Sequence, residues 1–305
     1  MAAIHIGISG WRYAPWRGDF YPKGLVQKHE LWFASRAVNS IEINGSFYAL
    51  QRPELYAAWY EETPKHFVFS VKAPRFITHV RRLREVEKPL ANFFASGVLA
   101  LEDKLGPILW QFPPTFTFEA ERFEAFLAQL PHDTEAALAL ARQCEARMEG
   151  RSYLQTGRKR RLRHAVEIRH ESFVDPAFVA LLRRYKVGLV IADTAGKWPY
   201  REDLTSDFVY LRLHGAEQLY TSGYTDEALD RWAERIRDWS QGRQPADAQL
   251  ISTTRPAARK HRQVYCYFDN DVKVRAPYHA RQLLRRLGLE DDLETVPGHL
   301  EGAKA

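Results

Sequence analysis

The sequence predicts an α/β chain of TIM-like (β/α)8 barrel architecture, a single domain, and three observations predict it. Eight short apolar runs recur along the 305 residues, each run ends in side chains that hydrogen-bond or carry charge, and most are followed by a segment of helical periodicity. Strands joined by helical crossings pair in parallel, and eight of them are the number that closes a barrel.

The predicted strands lie in residues 4–10, 40–48, 67–74, 107–114, 165–173, 188–196, 208–215 and 263–271. The fifth shows the design most clearly. In Ala165-Val-Glu-Ile-Arg169, Val166 and Ile168 share one face while Glu167 and Arg169 share the other. Asp175-Pro176 then signals a helix start, so the charged face sits at the strand's carboxyl end, where α/β folds bind their ligands.

Between the strands, helices are predicted at 29–37, 53–62, 119–130, 134–149, 225–239 and 277–287, with Gly288 as the stop. The fourth crossing, 115–163, is long and ends in a basic run. The sixth, 197–207, is too short and polar for a full helix and is expected to be irregular. Residues 1–288 form the predicted barrel, and 289–305, acidic and then small, are read as a flexible tail.

Composition bounds the function. Hydrophobic residues make up 45% and aromatic ones 13%, enough for one large core. Cys144 and Cys266 form neither a disulfide framework nor a metal-ligand spacing, in keeping with a reducing compartment. No apolar run approaches the ~20 residues of a membrane-spanning helix, and no secretory signal opens the chain, so a cytoplasmic protein with no membrane partner is expected. The net charge of +6 comes mostly from Arg158, Lys159, Arg160, Arg161 and Arg163. A local run of this kind is more often a solvated connection than a nucleic-acid track.

Compact catalytic signatures such as a P-loop, G-x-G-x-x-G, H-E-x-x-H or G-x-S-x-G do not occur in the sequence. Chemistry must therefore be assembled across strand ends. Glu42, Glu167, Asp193 and His214 are the candidate catalytic groups. Lys72, Arg169, Arg212, Asn44, Gln111, Asp269 and Asn270 are the candidate binding groups at the same ends. Trp11 and Trp16 in the aromatic loop after the first strand, Tyr48 after the second and His79 after the third complete the candidate binding set. Two electrostatic arrangements compete. Acids facing one another ask for a divalent metal, whereas acids paired with the cations leave a neutral interior. Roughly equal numbers of each sign favour pairing, with a divalent metal as the alternative cofactor.

Taken jointly, Gly10-Trp11 with Trp16 and Phe20-Tyr-Pro22, Glu42-Ile-Asn44 with Phe47-Tyr48, Lys72 with Thr78-His79, Gln111-Phe-Pro113, Glu167-Ile-Arg169-His170, Asp193, and Arg212-Leu-His-Gly215 resemble the YecE-like family, domain of unknown function 72. The resemblance extends to about Leu287 and implies a TIM-like barrel but no established activity. Near the eighth strand the chain departs from the family pattern: Asp269 replaces an Asn, Val274 a Gly and His279 a later Asn.

The leading functional expectation is a hydrolase or isomerase acting on a small anionic, phosphate-bearing ligand. Arg212, Lys72 and Arg169 would hold the anion, while Glu167 and His214 move protons. A nucleic-acid-binding or nucleic-acid-processing barrel, using the aromatic loop and the basic run, is the alternative, and a non-enzymatic ligand-binding barrel the second.

Overall fold

The structure, a computed structural model, describes residues 3–215, 223–269 and 274–299. Eight parallel strands close in chain order into one barrel. They are β1 (Ile4–Ser9), β2 (Ser40–Ile43), β3 (Val68–Lys72), β4 (Leu105–Gln111), β5 (His164–Glu167), β6 (Gly188–Asp193), β7 (Phe208–Leu213) and β8 (Gln263–Phe268). Every predicted strand is present, and β8 returns to pair with β1, Ile4 opposite Val264. Closure is tight at Gly7, where a Cβ would lie 1.7 Å from the Ser40 carbonyl oxygen, so only glycine lets β1 and β2 meet.

Among the described residues the helices are α1 (Glu30–Ala37), α2 (Gly45–Tyr48), α3 (Pro53–Glu62), α4 (Glu87–Ala95), α5 (Ala120–Leu127), α6 (Thr134–Ala141), α7 (Pro176–Arg184), α8 (Asp226–Ser240) and α9 (Arg275–Leu287). Their ends follow local chemistry. The side chains of Asp133, Asp175 and Thr225 accept hydrogen bonds from the amides of Ala136, Ala177 and Ala228, and Gly288 closes α9 at φ 67°. No helix lies between β6 and β7, as the polar crossing predicts.

Three features correct the sequence reading. Helix α4, unanticipated, buries Leu90, Phe93 and Phe94. Helix α6 stops at Ala141 instead of running to Glu149, because Asn92 of α4 captures the turn beyond it: its Oδ1 accepts from the Glu145 amide at 2.9 Å and its Nδ2 donates to the Glu145 carboxylate. The tail is docked through residue 299. The amides of Glu294 and Thr295 bond the Arg36 carbonyl, the Thr295 hydroxyl donates to the Phe33 carbonyl, and Gly298 bonds Phe20. Residues 300–305 lie outside the described part.

Strand parity sorts the core into two regions. Residues such as Ile8, Ile41, Val71, Trp110 and Val166 belong to the large cluster between sheet and helices. Leu109, Ala165, Val190, Tyr210, Tyr265 and Tyr267 form a smaller one inside the barrel. That interior is polar for a buried region: the Tyr267 hydroxyl lies 2.7 Å from the Ser40 hydroxyl and 2.8 Å from that of Ser70. Buried hydroxyls paired in this way avoid the desolvation cost of unmet donors. Above this layer the side chains become charged. Among the described residues no helix is long and apolar enough to cross a membrane.

Candidate active site

The charged layer is built from inward-facing positions at or just past the carboxyl ends of most of the strands, so parity brings together residues far apart in sequence. Arg212 stands at its centre with no exposed surface. Its Nε and Nη2 donate to the two oxygens of Glu42 at 3.1 and 2.8 Å, Nη1 to Glu167 at 2.8 Å, and Nη2 also to Asp269 at 2.8 Å and the Ser9 hydroxyl at 3.1 Å. A guanidinium has five N–H donors in a fixed fork, and these contacts use every one of its nitrogens.

The carboxylates are clamped in turn. Glu42 also accepts from Ser9 at 2.5 Å and from the Tyr210 hydroxyl at 2.6 Å. Glu167 accepts from Gln111 and from Arg169 Nε, each at 2.9 Å. His214 Nδ1 lies 3.0 Å from Asp269 Oδ2. Burial pushes the Glu167 carboxyl up, yet Arg212 and Arg169 outweigh it and hold the group well below the usual carboxylate range. Asp269 behaves alike: burial is overcome by Arg212 and His214, and its carboxyl is held down. Both remain ionised at neutral pH. The pairing arrangement is therefore the one formed. Three carboxylates converge on a guanidinium that occupies the position a dication would need, so this donor set does not fit a metal.

Lys72 differs from its neighbours. It is 8% exposed, and its Nζ sits 4.2 Å from the Phe47 ring centroid. Among the described residues no hydrogen bond or ion pair holds that amine. Burial, then the charge of Arg212, push it down to about 8, against a partial restoring pull from Asp269, Glu42 and Glu167. A buried, weakly partnered amine next to a saturated network is the group most available to a ligand.

Arg169, bonded to Glu167, has its guanidinium carbon 3.8 Å from the Trp198 ring centroid. His79 is half-buried with Nδ1 2.8 Å from the Thr78 hydroxyl. Burial first, and then Arg169, Arg75 and Lys72, push it down to about 4, so it is neutral. Asn44 joins the cluster by donating to Ser9 at 2.7 Å. Tyr48 is 73% exposed at the rim, edge-on to Phe47.

Three expectations change. Trp16 has no exposed surface and packs against Tyr13, Phe20 and Tyr21, so it is core and meets no ligand. Asp193 sits off the cluster. Ala192 takes the inward slot on β6, and the Asp193 carboxylate turns away to accept from the Tyr224 hydroxyl at 3.0 Å. Arg212, expected to anchor an anion, is fully committed to its own carboxylates. Asn270, and residues 216–222 that follow Arg212 and His214 beyond β7, lie outside the described residues.

Two contributors were missed. Tyr210 was legible, because it lies two residues before Arg212 on the same strand face. Trp198 was not, since its crossing shows no periodicity.

The basic run lies at the opposite, amino-terminal end of the barrel and is engaged by acids. Lys159 pairs with Asp133 and Glu135, Arg160 with Glu102, and Arg161 and Arg163 with Asp207.

Two cavities flank α2, beside the charged cluster rather than over it. One of about 210 Å³ is lined by Phe47, Tyr48, Pro74, Phe76 and neighbours. The other, of about 260 Å³, is lined by Gly10, Trp11, Arg12, Tyr13, Asn44 and Trp59 among others.

Comparison with known proteins is consistent with this geometry. The profile of the family described as "Protein of unknown function DUF72" matches residues 5–301. The UPF0759 protein YecE of Escherichia coli strain K12 is 31% identical over 113 residues, covering 37% of this chain and 39% of that protein. The UPF0759 protein YunF of Bacillus subtilis is 31% identical over 137 residues, covering 42% and 46%. The alignments thus span less than half the length of these curated relatives. A crystal structure of a DUF72 family protein from Thermotoga maritima superposes with a TM-score of 0.70 at 23% identity, covering 94% of this chain and 99% of that one. One from Enterococcus faecalis gives 0.67 at 18%, covering 94% and 96%, and these likenesses show the shared fold.

The three positions at which the chain is expected to depart from the family pattern are described in the structure. Asp269 supplies the third carboxylate on Arg212. Val274 holds φ at 57°, a left-handed conformation that costs a β-branched residue and would suit a glycine. His279 is buried against Tyr224 and Phe268.

Proposed function

The chain belongs to the DUF72 family, and we propose that it is an enzyme of the hydrolase or isomerase kind that takes a small anionic, phosphate-bearing substrate at the barrel mouth. The observation that carries this reading is Lys72. The other charges in the cluster have close partners, while the Lys72 amine sits over an aromatic ring with no hydrogen bond or ion pair among the described residues and is pushed down to about 8. An arriving anion gives it that partner, with Arg169 braced against Trp198 as the second cation.

The roles then separate. Arg212, Glu42, Glu167 and Asp269 form a rigid floor of ion pairs, which fixes Arg169 and His214 in place; Glu167, expected to move protons, is instead held ionised by Arg212 and Arg169. Lys72 is the proton carrier, because a group resting near 8 gives and takes protons close to working pH. His214, held by Asp269, is its partner in acid–base work.

The test is thermal unfolding in inorganic phosphate. Ligand at a hundredfold over Kd stabilises the folded state by about 2.7 kcal/mol. Phosphate is expected to raise the melting temperature of the wild-type protein but not of Lys72→Met. An equal rise in both proteins refutes the assignment.

A further inference from the structure

Among the described residues two lysines are buried, and their amines are placed differently. Lys104 is 4% exposed, and its Nζ donates to the carbonyls of Tyr60 and Thr63 and, at 3.2 Å, to the Thr63 hydroxyl. Three N–H groups on three acceptors commit that ammonium to the fold. Lys72 is 8% exposed, and among the described residues no hydrogen bond or ion pair holds its Nζ. The nitrogen is not sealed in either. It is absent from the buried side-chain atoms that lack a partner, so an Nζ without a partner here is one that reaches solvent.

The backbone around Lys72 is fixed. Its carbonyl accepts from the Ser46 hydroxyl at 2.7 Å, and the next amide, of Ala73, donates to the Leu109 carbonyl at 2.8 Å. The first of these bonds ties β3 to α2 and sets Phe47, the neighbour of Ser46, against the amine, Nζ lying 4.2 Å from the ring centroid. His79 packs edge-on against the same ring at 5.1 Å between centroids. A ring face attracts the ammonium but offers a neutral amine no proton, so the nitrogen lone pair stays free.

The charges around the amine act in the same sense. Burial and the Arg212 cation push it down to about 8, against the pull of Asp269, Glu42 and Glu167. At pH 7.5 roughly a quarter of such an amine is neutral, against about one part in a thousand for an ordinary lysine. Desolvation beside a second cation is what turns a lysine into a nucleophile. The same surroundings suit a cationic product, because the Phe47 face and the three carboxylates attract a positive charge that stays on the nitrogen.

We infer that Lys72 Nζ forms an imine with an aldehyde or ketone carried by the ligand. The nitrogen lone pair attacks the carbonyl carbon, and the π pair of the C=O bond moves to the oxygen. The C–O bond of the resulting carbinolamine then breaks as the C=N bond forms. Counted from the ammonium, two protons leave with the oxygen as water and the iminium keeps the single positive charge, so no further reactant is needed. An iminium draws electrons from the adjacent carbon, the activation that isomerisation of a hydroxycarbonyl compound requires. The inference rests on the reading of Lys72 as the cation that meets the ligand, and it narrows the substrate class to anionic carbonyl compounds.

The test uses D-glyceraldehyde, a carbonyl compound without phosphate, and sodium cyanoborohydride, which reduces an imine to a stable secondary amine. Wild-type protein is treated at pH 7.5, and the modified lysines are located by peptide mass spectrometry. Lys72 is expected to be modified faster than the exposed Lys23, Lys65 and Lys186 by about tenfold or more, and Lys104 least of all. Lys72→Met should lose the fast phase of labelling and keep the slow one. A Lys72 rate no higher than that of the exposed lysines overturns the inference, and it does so in the wild-type protein whether or not the variant folds. Phosphate protection without imine formation overturns this inference alone. Imine formation without phosphate protection supports it and refutes only the phosphate part of the reading on which it rests.

Discussion

Replacement of Arg212 by Met removes the one cation on which three buried carboxylates converge. Breaking a single buried pair by deleting one partner costs about 3–5 kcal/mol, because the remaining charge is stranded. Here Glu42 and Glu167 have no exposed surface and Asp269 little, so water cannot take over the role of the guanidinium. With an unfolding entropy of about 2 cal/mol/K per residue, that loss lowers the melting temperature of a barrel of this length by roughly 5–8 °C. The loss also depends on pH. In the native protein Glu167 and Asp269 are held below their unfolded-state values, so their contribution is complete above the unfolded pKa of about 4 and is lost as pH falls through the folded values. Without Arg212, burial acts with less opposition and raises the folded values above the unfolded ones, so the variant gains stability on acidification. Thermal or urea unfolding at pH 7.5 and pH 5.5 should show the gap between wild type and Arg212→Met narrowing at the lower pH. A gap under about 1 kcal/mol, or one unchanged between the two pH values, would show that the cluster is not the ionised floor described above.

Phosphate stabilisation should be full below pH 8 and fade above it, since Lys72 rests at about 8 and loses its charge there. A response flat from pH 6.5 to 9.5 would assign the anion to the arginines instead. Trp16→Ala should destabilise by about 3–5 kcal/mol and leave the phosphate shift intact, as for any large core aromatic. Loss of the shift in a folded Trp16→Ala protein would return that residue to the site. Val274→Gly should raise stability by up to about 1 kcal/mol by relieving the φ of 57° at the start of α9, measured by urea unfolding. A lower stability would mean that Val274, which is 8% exposed, packs well enough to outweigh its strain.

The sequence by itself determined the barrel and the membership of its floor. Period-2 alternation is a local property, so Glu167 with Arg169, Ser70 with Lys72, and Arg212 with His214 could each be assigned to a shared face from spacing alone. Helix starts were equally local, as at Asp175-Pro176 and Thr225, because caps act within one turn. Only the tertiary structure decided who pairs with whom. Glu42 and Arg212 are 170 residues apart and meet because the strands close into a ring, which no local pattern encodes. That closure commits Arg212 to carboxylates and leaves Lys72 as the available cation. It also sends Trp16 into the core, since an aromatic loop reads the same whether its rings face solvent or protein. Asp193 shows the limit of strand-end reasoning: one step of parity beyond Ala192 turns its carboxylate toward Tyr224. The docked tail is a further case, because its hydrogen bonds go to α1 and to Phe20, hundreds of residues away in the chain.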